Sequence, residues 1–512
     1  MVLALVLLPA AAGVLAFLLR SDSLRRMLLV PASLAQAGIV VACLVAGGGA
    51  GPGEWLRLDA LGLVFLSIIS VLFLASAFYA VGYLRREGTG PRRDFEEGQL
   101  FADAPERVFV GCLLFFLAAM SLVIVSQHMG LLWVAIEATT LASAPLIYFH
   151  RHHRSLEATW KYLLICSVGI ALALLGTFFL AVAASGPLQG QIPLVLGDLV
   201  ASAPRLNPIW LRAALIFLLV GYGTKMGLAP LHTWLPDAHS ESPSVVSALM
   251  SGALLNCAFL GILRAFQTSS AAGDGAFMAK LLVVLGLLSM TFAAGLILGQ
   301  ADYKRMLAYS SVEHMGILAV GVGLGGDGRY GAMLHAVNHS LTKACLFLVA
   351  GNVLAVYRTK SALEVRGMMR LIPWSGVLWI AGFVAITGSP PFGVFLSELV
   401  ILRAALEGGH PLVAAIYLAL LTTIFIGMSA IVLRMAQPGD ESAPAPLQTP
   451  VVTPTEVPPP TPVDSSPPQA EGGHGIRLAL SGGASISLDP RLRTPSRACR
   501  VSRERRRWRR GR

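Results

Sequence analysis

Six ionisable side chains stand inside otherwise apolar stretches of this sequence: Glu137, Lys225, His335, His339, Lys343 and Glu398. A charge within hydrocarbon is expensive, so each reads by default as part of an ion or proton pathway. Burial and neighbouring charges shift the proton affinities of carboxylates and lysines in opposite senses. Glu137 and Lys225 at membrane depth are therefore suited to exchanging protons when a nearby charge moves. The alternative for each of the six is a static ion pair or polar contact that fixes helix packing.

The run His335-Ala-Val-Asn-His339-Ser-Leu-Thr-Lys343 puts three of these residues on one helix face, climbing about 6 Å per step. Such a ladder can pass protons through bound water, and histidine titrates near neutral pH. A His-x3-His pair also suits a metal ion. However, no acidic residue stands near it in sequence to complete the set, and Lys343 would repel a cation. The expectation is a proton path without metal, with polar packing as the other alternative. His232, Asp237, His239 and Glu241 flank a turn, where they form either a proton entrance or helix-end caps. Lys161 is expected to snorkel to the headgroups. Asp302-Tyr303-Lys304-Arg305 reads as helix-start chemistry, with its acid at the N-terminus.

The elements that position these residues follow from composition. The 512 residues are 55% hydrophobic and 13% charged, with a mean hydropathy of +0.69, against roughly 25% charged in ordinary soluble proteins. A soluble multidomain enzyme and a disordered chain are both excluded. A bilayer core needs about 20 apolar residues per helix, and about thirteen such stretches are present: 2–19, 27–47, 58–84, 107–125, 130–149, 161–185, 208–230, 243–265, 279–299, 304–324, 331–356, 374–403 and 411–434. The first begins at the initiator Met with no basic residue before Arg20 and reads as a retained helix, not a cleaved signal. The reading is an all-α polytopic membrane protein.

Lys and Arg set its orientation. Odd-numbered connections carry 17 of them and even-numbered ones 7, which predicts cytoplasmic odd connections and an N-terminus outside a bacterial or archaeal cytoplasmic membrane. The net charge of +11 does not point to nucleic acid. Residues 1–435 hold 27 Lys/Arg against 21 Asp/Glu, and residues 436–512 hold 12 against 7. The six cysteines form no CxxC or cluster, so no redox or metal cofactor is expected in this chain.

Two stretches are interrupted: the seventh after Lys225, at Gly227-Leu-Ala-Pro230, and the twelfth at Gly388-Ser-Pro-Pro-Phe-Gly393, ahead of Glu398. Broken helices in corresponding places point to an ion site in a repeated transporter fold. The proposed layout is an N-terminal group of three helices over residues 1–106, a first five-helix repeat 107–265, and a second repeat 279–434 that runs in the opposite sense. A proline-rich linker and basic tail, disordered or frame-shifted, follows at 436–512. In this pairing Glu313 of the tenth stretch corresponds to Glu137. Residues 438–468 contain 11 prolines and read as an extended solvated linker.

Four segments carry a resemblance: Trp133-Val-Ala-Ile-Glu137-Ala-Thr-Thr-Leu-Ala-Ser, Ala158-Thr-Trp-Lys161-Tyr, Lys225-Met-Gly-Leu-Ala-Pro-Leu-His232-Thr-Trp-Leu-Pro-Asp237-Ala-His239, and Asp302-Tyr-Lys-Arg-Met-Leu-Ala-Tyr-Ser-Ser. Together they resemble the antiporter-like subunits of respiratory complex I, Mrp cation/proton antiporters and group 4 nickel-iron hydrogenases. The Glu-Ala-Thr-Thr-Leu segment and Pro390-Pro-Phe-Gly-Val-Phe-Leu-Ser-Glu398 are most similar to the F component of hydrogenase-4. The resemblance implies that Glu137 and Lys225 form a coupling pair and that His335, His339 and Lys343 form the central polar axis. Glu398 would be the exit-side proton carrier. Asn256 stands where many relatives have a lysine, so that relay step would depend on water and on His335. Relatives of this length usually end in a further helix, and a shifted reading frame near residue 470 would account for its loss here.

The function implied is a proton-translocating membrane subunit of a redox-driven complex of the hydrogenase-4 or NADH–quinone oxidoreductase type. Iron-sulfur clusters and a nickel-iron centre or flavin would lie in partner membrane and peripheral subunits. A sodium/proton antiporter subunit of Mrp type and a non-pumping membrane anchor are the alternatives.

Overall fold

In hydrocarbon a chain must satisfy its backbone hydrogen bonds internally, so its spanning segments become helices. The computed structural model describes residues 1–438 apart from 52, 88, 89, 91, 97, 99 and 187–189. From residue 439 on, the proline-rich and basic segment lies outside the described residues. From the N-terminus run α1 (Val2–Leu18), α2 (Asp22–Val45), α3 (Ala60–Arg86), α4 (Glu106–Val125), α5 (Met129–Ile147) and α6 (His153–Ala183). A short α7 (Leu196–Ala201) precedes α8 (Pro208–Met226) and α9 (Trp234–Glu241). Next, α10 (Ser244–Leu249) and α11 (Leu255–Ala271) are joined by a π turn, Met250–Leu254, into one rod. Then come α12 (Gly275–Ile297), α13 (Tyr303–Leu324), α14 (Asp327–Tyr357), the single turn α15 (Met368–Leu371), α16 (Pro373–Ile386), α17 (Gly393–Glu407) and α18 (Pro411–Ala436).

This is a multi-pass membrane protein: among the described residues, 11 helical rods are long and apolar enough to cross a bilayer. The apolar helices Val2–Leu18 and Pro373–Ile386 are shorter. The Ser244–Ala271 rod is buried along its whole apolar window and forms the inner wall of the bundle. Asn256 on it donates to Gly252 O (2.9 Å) and Ser340 Oγ (2.7 Å), tying the rod to α14.

Connections of like parity meet at one end. Asp103 pairs with His150 and Asp302 with Ser361 in isolated β-bridges of odd connections. Leu56 pairs with Ser126 and His128 with Val195 among even ones. At the even end, the Arg264 guanidinium donates to both oxygens of Asp59 (2.5 and 2.7 Å). Asp59 also caps α3, accepting from Gly62 N (2.9 Å). Burial works against the Asp59 charge, but Arg264 outweighs it and holds this carboxyl below the usual range.

Both predicted interruptions are present. α8 ends at Gly227, whose φ of +87° is in the left-handed region, and a Cβ there would stand 2.6 Å from Leu235 Cδ1. Side chains satisfy the backbone groups freed by the break. The Trp234 indole donates to Thr224 O (2.9 Å), and Ser289 Oγ accepts from Ala229 N (2.9 Å). The twelfth stretch divides into α16 and α17 at Gly388, φ +62°, where Ser389 N donates to Val384 O (3.1 Å). The Glu398 carboxylate occupies the space that a side chain at Gly388 would fill.

Candidate functional site

Lys225 lies in the last turn of α8, 0% exposed, where the chain stops before Gly227. Its Nζ donates to Thr140 Oγ1 (2.9 Å) and Tyr162 OH (2.6 Å) and lies 4.4 Å from the centroid of the Tyr162 ring. Glu137 is half-buried on α5, one turn before Thr140. It accepts from Thr140 Oγ1 (3.3 Å) and Ser167 Oγ (3.2 Å). The Thr140 hydroxyl therefore accepts from the ammonium and donates to the carboxylate, and the resemblance's coupling pair is bridged by one hydroxyl. Tyr162 continues the chain to Ser143 Oγ (2.6 Å), which donates to Thr139 O (2.7 Å). Neither Thr140 nor Tyr162 was singled out from the sequence, because a lone hydroxyl in a helix usually bonds its own backbone.

The second cluster joins α13, α14 and α17. The three residues of the His-x3-His-x3-Lys face are all 0% exposed, as the four-residue spacing requires of an inward face. Lys343 Nζ donates to Leu307 O (2.8 Å). His335 Nε2 lies 2.9 Å from His314 Nδ1, and His335 Nδ1 lies 3.0 Å from Ser397 Oγ. Ser397 gives its own proton to Val394 O (2.8 Å), so it accepts from His335 Nδ1–H. That leaves His335 Nε2 as an acceptor, with His314 Nδ1–H as the donor. His314 Nε2 then carries a lone pair without a partner among the described residues. The His339 ring packs on His314 with centroids 5.0 Å apart, and both its ring nitrogens are unpartnered among the described residues.

Glu398, 6% exposed, has Oε1 unpartnered among the described residues. Ligand atoms of Glu398, His314 and His335 all lie within 4.8 Å of one another. This corrects the premise that no acidic ligand stands near the histidines: α17, far along the chain, folds its carboxylate against them. His314 was missed, although the signal was present in an ionisable residue within an apolar stretch. Glu313 is buried beside it and accepts from Ser310 Oγ (3.3 Å).

The residues around the seventh–eighth turn do separate things. Asp237 pairs with Lys161 (2.9 Å) and Arg305 (2.6 Å), and Lys161, half-exposed, also meets Glu157 (2.7 Å). Glu241 meets Lys360 (2.7 Å) and His152 (3.7 Å). Burial opposes its ionisation, but Lys360, with Arg154 and His152, outweighs this and keeps Glu241 below the ordinary glutamate range. His239 stacks on Phe347 (4.9 Å) with no hydrogen-bond partner among the described residues, and His232 packs against Phe292 (5.6 Å). Asp302 caps α13 through Lys304 N (2.7 Å) and Arg305 N (3.1 Å). Lys304 itself is buried and donates to Ser240 O (3.0 Å) and Ser242 O (2.7 Å). A cavity of about 580 Å³ at the odd end adjoins this turn, with Tyr79, His152, Glu241, Lys304 and Lys360 among its lining. Asn256 bonds Ser340 of α14 (2.7 Å), on the helix that also carries His335.

Comparison with known proteins gives one consistent result. A family profile described as "NADH:quinone oxidoreductase/Mrp antiporter, TM" matches residues 126–426. The chain is 36% identical over 389 residues to a hydrogenase-4 component F homolog of Methylacidiphilum infernorum, covering 75% of this chain and 79% of that one. Its fold is similar to a chain of the archaeal membrane-bound sulfane sulfur reductase, with TM-score 0.75, 22% identity and coverage of 86% and 90%. It is also similar to a chain of the Mrp complex from a Dietzia species, with TM-score 0.74, 20% identity and coverage of 86% and 80%.

Proposed function

The chain belongs to the NADH:quinone oxidoreductase/Mrp antiporter transmembrane family, and from that membership we propose that it is the proton-translocating subunit of a redox-driven membrane complex of the hydrogenase-4 or NADH–quinone oxidoreductase type. The observation that carries this reading is the buried chain Glu137–Thr140–Lys225–Tyr162, in which one hydroxyl links a half-buried carboxylate to a fully buried ammonium. Glu137 is open enough to feel a charge on a neighbouring subunit, and Lys225 is not. A charge change outside would alter the hydrogen bond from Thr140 and with it the proton held at Lys225.

Lys343, His339, His335 and Glu398, with His314 between the two histidines, then form the second half of the path, and Glu398 releases the proton outward. Residues 107–265 and 279–434 would be inverted repeats, with α9 and α17 as the second halves of the broken helices. The odd end faces the cytoplasm in this reading, and the N-terminus lies outside the cytoplasmic membrane. Iron-sulfur and nickel-iron or flavin centres belong to the partner subunits, and the chemistry of this chain is proton movement.

Glu137→Gln keeps the side-chain shape and removes the charge. Proton translocation into vesicles is expected to disappear while electron transfer by the intact complex continues. Translocation at the wild-type rate would overturn the reading. A requirement for Na⁺ in the same assay would favour cation antiport.

A further inference from the structure

We propose that His314, His335 and Glu398 form a binding site for a borderline-soft divalent transition metal ion, with Zn²⁺ as the best-matched probe. Two imidazoles and one carboxylate with an open fourth position make a known zinc donor set. Here the three ligand atoms come from α13, α14 and α17 and lie within 4.8 Å of one another. Tetrahedral bonds of about 2.0–2.2 Å would be reached by side-chain rotation, the two imidazole nitrogens, 2.9 Å apart, parting slightly to admit the ion.

Three features go beyond a chance cluster. All three side chains are buried, and Glu398 Oε1 has no hydrogen-bond partner among the described residues, although buried polar atoms are ordinarily satisfied; His314 Nε2, also unpartnered there, is free to hold the proton that leaves Nδ1 when the metal takes it. His335 Nδ1 is held by Ser397 Oγ at 3.0 Å, the outer hydrogen bond that commonly orients a metal-binding histidine. His339, whose ring lies 5.0 Å from that of His314 with both nitrogens unpartnered among the described residues, stands beside the site. Glu398 and the neighbouring Glu313 answer the repulsion from Lys343.

The binding step balances without any further reactant. The proton that His314 Nδ1 shares with His335 Nε2 passes to the free Nε2 of His314. Two imidazole lone pairs then reach the metal, and the carboxylate of Glu398 supplies the third bond. Any proton on that carboxylate leaves to solvent.

Given the proton path proposed above, an ion here occupies three of its members, His314, His335 and Glu398, and stops translocation. The test separates the two ideas. Zn²⁺ binding and the visible spectrum of bound Co²⁺ are measured on the purified intact complex, for the wild type and for His314→Asn and Glu398→Gln. Assembly of each variant is checked by electron transfer in the partner subunits. The expected result is one ion per chain whose Kd rises at least tenfold in both variants, with a Co²⁺ spectrum of low coordination number. The site is overturned if wild-type binding is absent, or if it is unchanged in either assembled variant. Zn²⁺ that binds as described yet leaves wild-type translocation untouched would sink the path through His335 and Glu398 and leave the metal site standing.

Discussion

Among the described residues Lys225 has no carboxylate in direct contact; two hydroxyls and the face of a tyrosine hold its ammonium. A hydrogen bond to a charged group is worth about 1.5–3 kcal/mol, so Thr140 matters to the lysine as well as to Glu137. Thr140→Val keeps the shape of the side chain and removes the bridge. Translocation is expected to fall by about 10²-fold or more, the usual scale for losing a positioned proton-transfer group. Thr140→Ser should restore most of it. Both rates are read as proton uptake by vesicles at matched electron-transfer rates, and a Val variant as fast as wild type would rule out the bridge. The residues at this scale were only partly legible. Each ionisable residue stood out against its apolar neighbours, whereas a threonine looks the same in the sequence whether it bonds its own helix or the next one.

At the scale of elements, the two broken helices work because each break is lined by groups that replace the missing backbone bonds. Gly388 shows the dependence most directly: its left-handed φ of +62° disfavours other residues, and the Glu398 carboxylate fills the place of its absent side chain. Gly388→Ala should therefore displace Glu398 and abolish translocation. Thermal stability should drop by about 1–3 kcal/mol, the strain of a residue held in such a conformation. Unfolding in detergent and vesicle translocation measure the two effects, and unchanged values for both would show that the carboxylate is not seated there. The breaks were visible as Gly and Pro within apolar runs. The π turn at Met250–Leu254 was not, since its residues are as apolar as a regular helix.

Across the whole molecule, connections of one parity are tied together at each end, and the odd end carries a buried charge network. Glu241 faces Lys360, His152 and Arg154, with Glu96 also beside Lys360. Its carboxyl is held below the ordinary range in the folded protein. Such a group contributes stability above its unfolded pKa and loses it as pH falls through its folded pKa. Acidification below about pH 4 should lower the melting temperature of the complex. Glu241→Gln should begin lower at neutral pH and lose less on acidification. Parallel melting curves for the two proteins between pH 7 and pH 3 would mean that Glu241 carries none of this stability.

Composition and spacing alone determined the solvent, the helical class, the positions of the breaks and most of the ionisable residues that lie at membrane depth. Hydrocarbon tolerates few backbone conformations and few charges, so every exception is visible in a single chain. Only the tertiary structure decided which exceptions meet. Helical spacing fixes how residues are arranged around their own axis, as with His335, His339 and Lys343, but the rotation of one helix against another depends on packing. That packing set Thr140 between Glu137 and Lys225, and it brought Glu398 of α17 and His314 of α13 to a histidine of α14.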